Sequence, residues 1–242
     1  MAVENTHRVA IVTGAGRGIG RAAAIALAGE GFSVCLAART REELEQTRSA
    51  TGLPAERSLI VLLDLTQEEA PDALVGTVID HHGRLDVLVN NAGWAPARTP
   101  LTKMREGDID RILAVNLRAP IALARLAAIQ MARQGGGTIV NIASNAARLT
   151  PPGEAAYAAA KAGLVAFTRA AFEDLRQNGT RMAVISPGLV DTTLIPGNKR
   201  LDRAAMLRPE DVAAAIMQIV NAPAHACPVE ISLEPQSDPM RR

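Results

Sequence analysis

Short, continuously apolar runs alternate along the chain with longer segments that have helical periodicity. The runs are rich in β-branched residues and end at glycine or polar clusters, as buried strands do. Strands are predicted at 8–13, 33–38, 58–63, 86–90, 138–143, 181–186 and 229–233. Helices are predicted at 21–28, 42–50, around 74–79, 105–133, 154–177 and 209–220. Strands that are apolar throughout must be covered on both faces, so the pattern predicts a doubly wound α/β fold with a central, seven-stranded parallel sheet.

The composition is typical of one globular domain. The chain has 242 residues, of which 48% are hydrophobic and 21% charged, and this length is near the upper end of what one core organises. No break in composition divides residues 1–242, and only the polar tail 235–242 is expected to fray. The net charge of +1 gives no electrostatic reason to expect nucleic acid or an anionic membrane as a partner.

The chain also lacks sequence signals for a membrane or a metal. No apolar run approaches 18 residues, and the first eight residues, MAVENTHR, have no signal-peptide core. The two cysteines, Cys35 and Cys227, stand far apart and outside any Cys/His cluster with metal-ligand spacing. We therefore expect a cytoplasmic protein with no membrane segment and no metal site.

A glycine cluster joins the first strand to the first helix. It has the sequence TGAGRGIG at positions 13–20. Glycines permit a tight turn and a close backbone approach, and the helix N-terminus presents free N–H groups and a positive dipole end to a pyrophosphate. The cluster therefore predicts a dinucleotide site in a Rossmann fold, against the alternative of an ordinary strand-to-helix turn.

The end of the second strand bears on which dinucleotide binds. An acidic residue there ordinarily accepts hydrogen bonds from the adenosine ribose, but this strand ends Ala-Ala-Arg39-Thr40. The guanidinium of Arg39, with Arg17 approaching from the loop, can bind a 2′-phosphate that a carboxylate would repel. This favours NADP(H) over NAD(H), unless Arg39 is merely a solvated loop residue.

The chain's only tyrosine, Tyr157, is followed four residues later by Lys161, one of three lysines. Positions i and i+4 share a helix face, and the surrounding segment is too apolar for the alternative, an exposed pair on an amphipathic helix. A phenol with a pKa of roughly 10 is a poor acid–base catalyst at neutral pH. A neighbouring ammonium and an oxidised nicotinamide ring are expected to lower that pKa, and Ser144, just past strand five, can hydrogen-bond a substrate oxygen.

Asn116 lies inside a predicted helix, four residues before Pro120. Because proline has no N–H to donate, the carbonyl of Asn116 is expected to be free of the helix ladder. A free carbonyl facing a polar pocket can hold a water, and we predict one between it and Lys161. The alternative is a tolerated kink without chemical role.

Together these features resemble the short-chain dehydrogenase/reductase family from about residue 9 to residue 188. The resemblance rests on the TGxxxGxG loop, Asp64 after strand three, the NNAG element at 90–93, Asn116, the Ser144/Tyr157/Lys161 set and the Pro187-Gly188 pair. It implies that Tyr157 is the general acid for reduction and the general base for oxidation. It also implies that Ser144 holds the substrate oxygen, that Lys161 lowers the tyrosine pKa and binds the nicotinamide ribose, and that Asn116 completes a proton relay.

The resemblance implies cofactor contacts along most of the chain. Asp64 would touch the adenine, Asn91 and its neighbours would line the adenosine side, and residues 187–192 would meet the nicotinamide carboxamide. The full predicted set is Gly14, Arg17, Gly18, Ile19, Gly20, Arg39, Asp64, Leu65, Asn91, Ala92, Gly93, Tyr157, Lys161, Pro187, Gly188, Val190 and Thr192.

Two regions differ from the family pattern. The expected substrate lid, about residues 189–206, is short and contains the turn-rich stretch PGNKR at 196–200, which we expect to be mobile until ligand binds. The segment PVEISLEP at 228–235 replaces the glycine-rich ending of many relatives, so their C-terminal contacts are not expected. The nearly uniform apolarity of residues 121–131 and 157–167 suggests burial on more than one face and hence a subunit interface. The family resemblance implies a homotetramer, with a homodimer as the alternative.

The sequence thus predicts an NADP(H)-dependent oxidoreductase that acts on a small-molecule carbonyl or alcohol. A 3-oxoacyl thioester and a small ketone or aldehyde are both compatible substrates. Two alternatives remain: a non-catalytic dinucleotide-binding regulator or scaffold, which has no need of an intact Ser/Tyr/Lys set, and an isomerase or lyase that consumes no net cofactor.

Overall fold

The computed structural model describes residues 7–195 and 201–240. Within these residues the strands are β1 Val9–Thr13, β2 Ser33–Ala38, β3 Ser58–Leu62, β4 Val87–Asn90, β5 Gly137–Ile142, β6 Thr180–Pro187 and β7 Glu230–Leu233. The α-helices are α1 Gly18–Gly29, α2 Arg41–Thr51, α3 Ala70–His82, α4 Glu106–Leu113, α5 Ala119–Arg133, α6 Ala146–Leu149, α7 Ala155–Leu175 and α8 Pro209–Val220.

All seven described strands pair in parallel, in the order β3-β2-β1-β4-β5-β6-β7. The order runs outward from β1 to one side and from β4 to the other, so the chain reverses its direction of travel between these two strands. In such sheets the crevice for a ligand opens at the carboxyl ends of the strands, beside this reversal. The predicted doubly wound fold is confirmed.

The sheet is buried on both faces, and this explains why its strands are apolar throughout. Along β1 the side chains alternate: Ala10 and Val12 pack in one core with α1, α2 and α8. Val9 and Ile11 pack in the other core, with α3 and α5. Each helical layer contributes a stripe of buried aliphatic residues, so the central strands are shielded from water on both faces, whereas the edge strands β3 and β7 are partly exposed.

Among the described residues one helical run, Glu106–Arg133, is long and apolar enough, by length and composition alone, to cross a membrane. Its α5 part, however, buries Leu123, Ala127 and Met131 in the core shared with α3 and the sheet. A helix whose apolar side faces other protein elements in this way is a core helix of the fold.

The C-terminal tail differs from the expectation of a frayed end. Leu201 forms an antiparallel bridge with Met240, and the N–H of Asp202 donates to the carbonyl of Pro239 at 2.8 Å. Pro239 is itself buried. The polar composition suggested fraying, but it gave no sign that backbone groups almost forty positions apart would satisfy one another. Pro239 and Met240 are therefore tied to the segment at 201–202.

Candidate active site

A cleft opens where the carboxyl ends of the strands meet, as expected for this topology. Of the predicted site residues, those that line it are Gly14, Arg17, Gly18, Ile19, Arg39, Asp64, Leu65, Asn91, Ala92, Gly93, Ser144, Tyr157, Lys161, Pro187, Gly188, Val190 and Thr192. Gly20 and Asn116 do not line the cleft. They lie behind its wall, and each shapes the wall through a close contact.

The turn between β1 and α1 requires glycine at several positions. Gly14 and Gly18 have φ values of +65° and +52°, a region in which other residues are strained. A Cβ on Gly20 would lie 2.2 Å from the carbonyl oxygen of Gly14, so Gly20 lets the helix pack directly against the loop. Glycine is therefore required at positions 14 and 18 by the positive φ values, and at position 20 by the close approach of the helix to the loop.

The N-terminus of α1 faces this cleft without a side-chain cap. Arg17 precedes the helix and makes no capping hydrogen bond, and the first turn contains no acidic residue. The first N–H groups of the helix and its positive dipole end are therefore available to an anion. A cradle of glycines ahead of an uncapped helix fits the pyrophosphate of a dinucleotide.

The ends of β1 and β4 are joined through Thr13. Its hydroxyl oxygen accepts hydrogen bonds from the N–H groups of Asn91 and Ala92, both at 3.0 Å. The amide of Asn91 in turn donates to the Thr13 carbonyl at 2.9 Å. These bonds fix the Asn91–Gly93 stretch against the glycine loop, so the two stretches form one continuous wall.

Several charged residues lie at the glycine end of the cleft. The N–H of Thr66 donates to the Asp64 carboxylate at 3.0 Å. This bond, with smaller contributions from the charges of Arg39 and Arg111, lowers the pKa of Asp64 below its ordinary value. Arg39 is exposed. Arg17 has a side chain that is 58% exposed and lies 3.5 Å from Glu43, so part of its charge is already paired.

Tyr157 and Lys161 meet at the opposite end of the cleft, one turn apart on α7. Lys161 is only 3% exposed. Its ammonium donates to the carbonyl of Ile142, the last residue of β5, at 2.8 Å, and lies 5.7 Å from the centre of the Tyr157 ring. Ser144, two residues past Ile142, is hydrogen-bonded to the Tyr157 side chain. The end of β5 and the first turns of α7 thus bring the three predicted catalytic side chains together.

Burial dominates the electrostatics of this end. It raises the pKa of Tyr157 to about 12, against a lowering contribution from the Ser144 hydrogen bond, and the negative charge of Glu154 raises it further. Burial also lowers the pKa of Lys161 to about 8. Without a bound cofactor, desolvation of the phenolate therefore exceeds the lowering by the Ser144 hydrogen bond. The expected lowering of the Tyr157 pKa by the Lys161 ammonium and an oxidised nicotinamide ring stays a prediction.

Asn116 is fully buried, and its side chain links the segment after β4 to α4. Its amide donates to the carbonyls of Trp94 and Ile112, at 2.7 and 2.9 Å. Its side-chain oxygen accepts from the N–H of Trp94 at 3.3 Å and would be 3.1 Å from a Cβ on Gly93. Asn116 therefore holds the stretch after β4 beside Lys161. The predicted water on the Asn116 carbonyl stays a prediction.

The helix around Pro120 has a form that differs from the simple kink considered as the alternative. The chain makes a π-helical turn at Ala114–Arg118 and continues directly into α5, with Pro120 as the second residue of that helix. A π-turn widens the helix by one residue and often occurs at functional sites. Because the helix is continuous here, the missing N–H of Pro120 leaves one carbonyl of the preceding turn without its helical partner. The helix is therefore locally wider at Asn116 and is not interrupted.

The cleft includes residues that the sequence analysis did not predict. Arg111 lies over the ring of Trp94, with 4.4 Å between its guanidinium carbon and the ring centre, and both line the cleft together with Val115. Helical spacing could have indicated Arg111, since it lies one turn before Val115. Thr193, Leu194 and Ile195 also line the cleft; they lie within the predicted lid at about 189–206, although the sequence analysis did not name them individually.

The predicted lid is anchored at its base. The N–H of Asp191 donates to Leu207 at 2.8 Å, and the N–H of Leu207 donates to Leu189 at 3.0 Å. Arg203 forms an ion pair with Asp191 and donates to the carbonyl of Ile195 at 2.8 Å. These bonds hold both described ends of the segment beside the cleft. The stretch 196–200, for which mobility is expected, lies outside the described residues.

Comparison with known proteins places these features in a family context. The family model for short chain dehydrogenases matches residues 8–202. An uncharacterized oxidoreductase of Staphylococcus aureus strain USA300 is 33% identical over 230 residues, which cover 95% of this chain and 98% of the relative. A second uncharacterized oxidoreductase, from Staphylococcus epidermidis, is 30% identical over 229 residues, with coverage of 95% and 97%.

Two solved structures are similar over almost the whole fold. The crystal structure of a metagenomic short-chain oxidoreductase in complex with NADP is 34% identical, with a TM-score of 0.83 and coverage of 95% of this chain and 98% of that one. A candidate short-chain alcohol dehydrogenase from Sinorhizobium meliloti 1021 is 31% identical, with a TM-score of 0.84 and coverage of 93% and 94%. The similarity of fold and sequence to these two structures therefore extends over at least 93% of this chain.

Proposed function

Because the chain belongs to the short-chain dehydrogenase family of oxidoreductases, we propose that it is an NADP(H)-dependent enzyme that interconverts a carbonyl compound and the corresponding alcohol. The observation that carries the proposal is the convergence of Ser144, Tyr157 and Lys161 at one end of a cleft whose other end is an uncapped, glycine-rich helix N-terminus.

The residues at the glycine end fit a nicotinamide dinucleotide. The N–H groups at the start of α1 suit its pyrophosphate, and Asp64 and the Asn91–Gly93 stretch suit its adenosine half. Arg39 stands where an acidic residue would favour NAD(H), and the similar metagenomic oxidoreductase was crystallised with NADP. When bound, the dinucleotide supplies or accepts the hydride at its nicotinamide ring.

At the other end, each catalytic residue has one role. Tyr157 gives its hydroxyl proton to the substrate oxygen during reduction and takes one during oxidation. Ser144 donates a hydrogen bond to the same oxygen and so orients the substrate. Lys161 stabilises the phenolate that remains after proton transfer. Because Lys161 is buried and Tyr157 and Ser144 are partly buried, these interactions are less screened than they would be in solution.

The decisive experiment follows NADPH and NADH absorbance with a panel of ketones, aldehydes and 3-oxoacyl thioesters. Oxidation of NADPH with at least one carbonyl is expected, with a lower rate for NADH. Replacing Arg39 by Asp should reverse that preference, because a carboxylate repels the 2′-phosphate and accepts hydrogen bonds from a free ribose. A parent protein that already prefers NADH would contradict the phosphate argument.

Two other functions predict different outcomes in the same assay. A regulator or scaffold that uses the dinucleotide only as a ligand would bind NADPH without turnover of any carbonyl. An isomerase or lyase would convert its substrate with no net change in NADPH. The buried Lys161 argues against the first of these, since a site that only binds has no need to hold an ammonium out of water at a cost in stability.

We also propose that the protein forms a homotetramer, with a homodimer as the alternative. The outer face of α7 presents Ala159, Ala162 and Ala166 to solvent, and α5 exposes Ile129, 44% accessible. Small side chains allow two helices to approach closely, so these faces suit self-association by a two-fold axis. Sedimentation showing a monomer at micromolar concentration would remove this proposal.

A further inference from the structure

The loop that follows the Asn91–Gly93 stretch is fastened to the start of the catalytic helix. Arg98 Nε lies 2.6 Å from Glu154 Oε1, and the N–H of Thr99 donates to the carbonyl of Gly153 at 2.9 Å. Gly153 has a φ of +80°, and a Cβ there would be 3.1 Å from the Thr99 nitrogen. The two segments are therefore in direct contact, and Arg98 and Glu154 form the only charged link that the described residues make between them.

Glu154 immediately precedes α7, three residues before Tyr157. Its carbonyl accepts the N–H of Ala158 at 2.8 Å, but its side chain makes no capping hydrogen bond. The carboxylate is held by Arg98 instead. The Glu154 side chain is 22% exposed and that of Arg98 is 66% exposed, so the negative member of the pair is much the less hydrated.

We propose that Glu154 is a positioning residue that, together with Arg98, sets the electrostatic field at the Tyr157 hydroxyl and thereby the pH range in which the enzyme works. A nearby carboxylate opposes formation of a phenolate, and a guanidinium bound to that carboxylate reduces the opposition. The inference rests on the proposed acid–base role of Tyr157. In agreement with it, the charge of Glu154 raises the pKa of Tyr157.

Other described charges near α7 are accounted for. Lys161 faces Tyr157 directly and is bound to the Ile142 carbonyl. The remaining charged groups on neighbouring elements are the exposed Glu106, Asp110, Arg125 and Arg133, and Arg105 with Asp108, Arg111 over Trp94, Arg118 with Glu68, Arg148 with Ser232, Arg181 near Cys227 and Asp191 with Arg203. Towards its C-terminal end, α7 also carries Arg169 paired with Glu230, Glu173 paired with Arg176, and the exposed Asp174. Of all these groups, Glu154 is the one that can be neutralised without touching a predicted catalytic or cofactor residue while changing the field at Tyr157.

Since Tyr157 is the only tyrosine, its ionisation can be followed directly as phenolate absorbance in the whole protein, with and without NADP⁺. Glu154→Gln should move the titration to lower pH by about half a pH unit, the effect of one unit charge near a protein surface. Arg98→Gln should move it to higher pH. The pH–rate profile for alcohol oxidation should shift in the same directions.

The matched control is Glu173→Gln, which removes an exposed carboxylate, also paired with an arginine, at the far end of the same helix. It should titrate like the parent, and Glu154→Asp, which keeps the charge, should restore most of the parent midpoint. Circular dichroism at each pH verifies that the variants remain folded.

Equal titrations for Glu154→Gln and Glu173→Gln would overturn the inference. So would a phenolate titration that shifts while the pH–rate profile stays in place, since the field would then not govern catalysis. If no carbonyl or alcohol is turned over at all, the proposed function fails by itself, and the phenolate titration still decides whether Glu154 controls the ionisation of Tyr157.

Discussion

The two ends of the cleft present different kinds of groups to a ligand. At the glycine end the contacts come from backbone: glycines with positive φ, free N–H groups at the start of α1, and a Gly20 that contacts the Gly14 carbonyl. At the catalytic end they come from side chains that have been removed from water, namely Tyr157 and Lys161. The glycine end recognises the shape of a ligand, whereas the catalytic end shifts the pKa values of Tyr157 and Lys161.

The charges at the two ends differ in the same way. Arg17 and Arg39 are exposed, so their attraction for an anion is moderated by solvent and salt. Lys161 is buried, and its pKa falls to about 8. Exposed charge can select a ligand at small cost, whereas buried charge costs stability and is retained where proton transfer requires it. Substitutions at the two ends should therefore have different effects: loss of turnover at the catalytic end, and loss of stability and cofactor affinity at the glycine end.

The largest effect is expected from Tyr157→Phe. The change deletes only the ionisable oxygen, so turnover should fall by about a thousandfold, within the range for loss of a general acid–base. NADPH affinity, measured by fluorescence titration, should stay within about twofold of the parent, because the glycine end is untouched. Loss of affinity together with turnover would show that the two ends are not separable.

Gly20→Ala is expected to disrupt the glycine end of the cleft. Its Cβ would lie 2.2 Å from the Gly14 carbonyl oxygen and 2.6 Å from the Asn91 amide nitrogen. Backbone cannot move aside cheaply, so the variant should lose about 3 kcal/mol of stability, at the upper end for overpacking. Denaturant unfolding measures this loss, and NADPH affinity should fall with it, because the loop that Gly20 supports is displaced.

Gly29→Ala is the control on the same helix. Nothing lies within 4 Å of a Cβ at Gly29, so alanine there should stabilise the protein slightly or leave it unchanged. If both alanine variants lost stability alike, the cause would be the helix in general and not the contact between Gly20 and the loop.

The comparison also explains which features the sequence could predict. Backbone-built features follow local spacing: four glycines between a strand and a helix, or Tyr157 and Lys161 four residues apart on one helix face. The fold followed from similar local patterns, and β2 (Ser33–Ala38) and α8 (Pro209–Val220) have the predicted bounds. Elsewhere the ends of elements differ by a few residues, because helix ends and strand ends depend on tertiary contacts.

Features that depend on segments distant in sequence were beyond prediction. The ion pair of Arg98 with Glu154, the position of Arg111 over Trp94 and the bridge between Leu201 and Met240 join residues 17 to 56 positions apart. The burial of Tyr157 was beyond prediction for a related reason. The spacing of Tyr157 and Lys161 indicates that they share a helix face, but the desolvation that raises the pKa of Tyr157 depends on the whole packed fold.

The smallest effect, and one of opposite sign, is expected from Lys161→Met in the cofactor-free protein. Below pH 8 the ammonium is charged in both states, so folding must bury it. Its pKa falls from 10.5 to about 8, a shift that corresponds to a cost of about 3 kcal/mol. Methionine removes that cost. It also leaves the Ile142 carbonyl without its hydrogen-bond donor, and this loss offsets part of the stabilisation. The net result at pH 7 should be a stabilisation of about 1 kcal/mol, with loss of turnover.

The pH dependence of this difference provides the sharper test. Between pH 8 and 10 the native protein releases the Lys161 proton while the unfolded chain still holds it, so parent stability should rise with pH. The advantage of Lys161→Met should therefore be complete below pH 8 and shrink steadily towards pH 10. Lys103→Met, at an exposed lysine, should show no such trend in denaturant unfolding. A constant advantage across this range would mean that the variant gains from packing alone, and that the ammonium of Lys161 is better solvated than its burial implies.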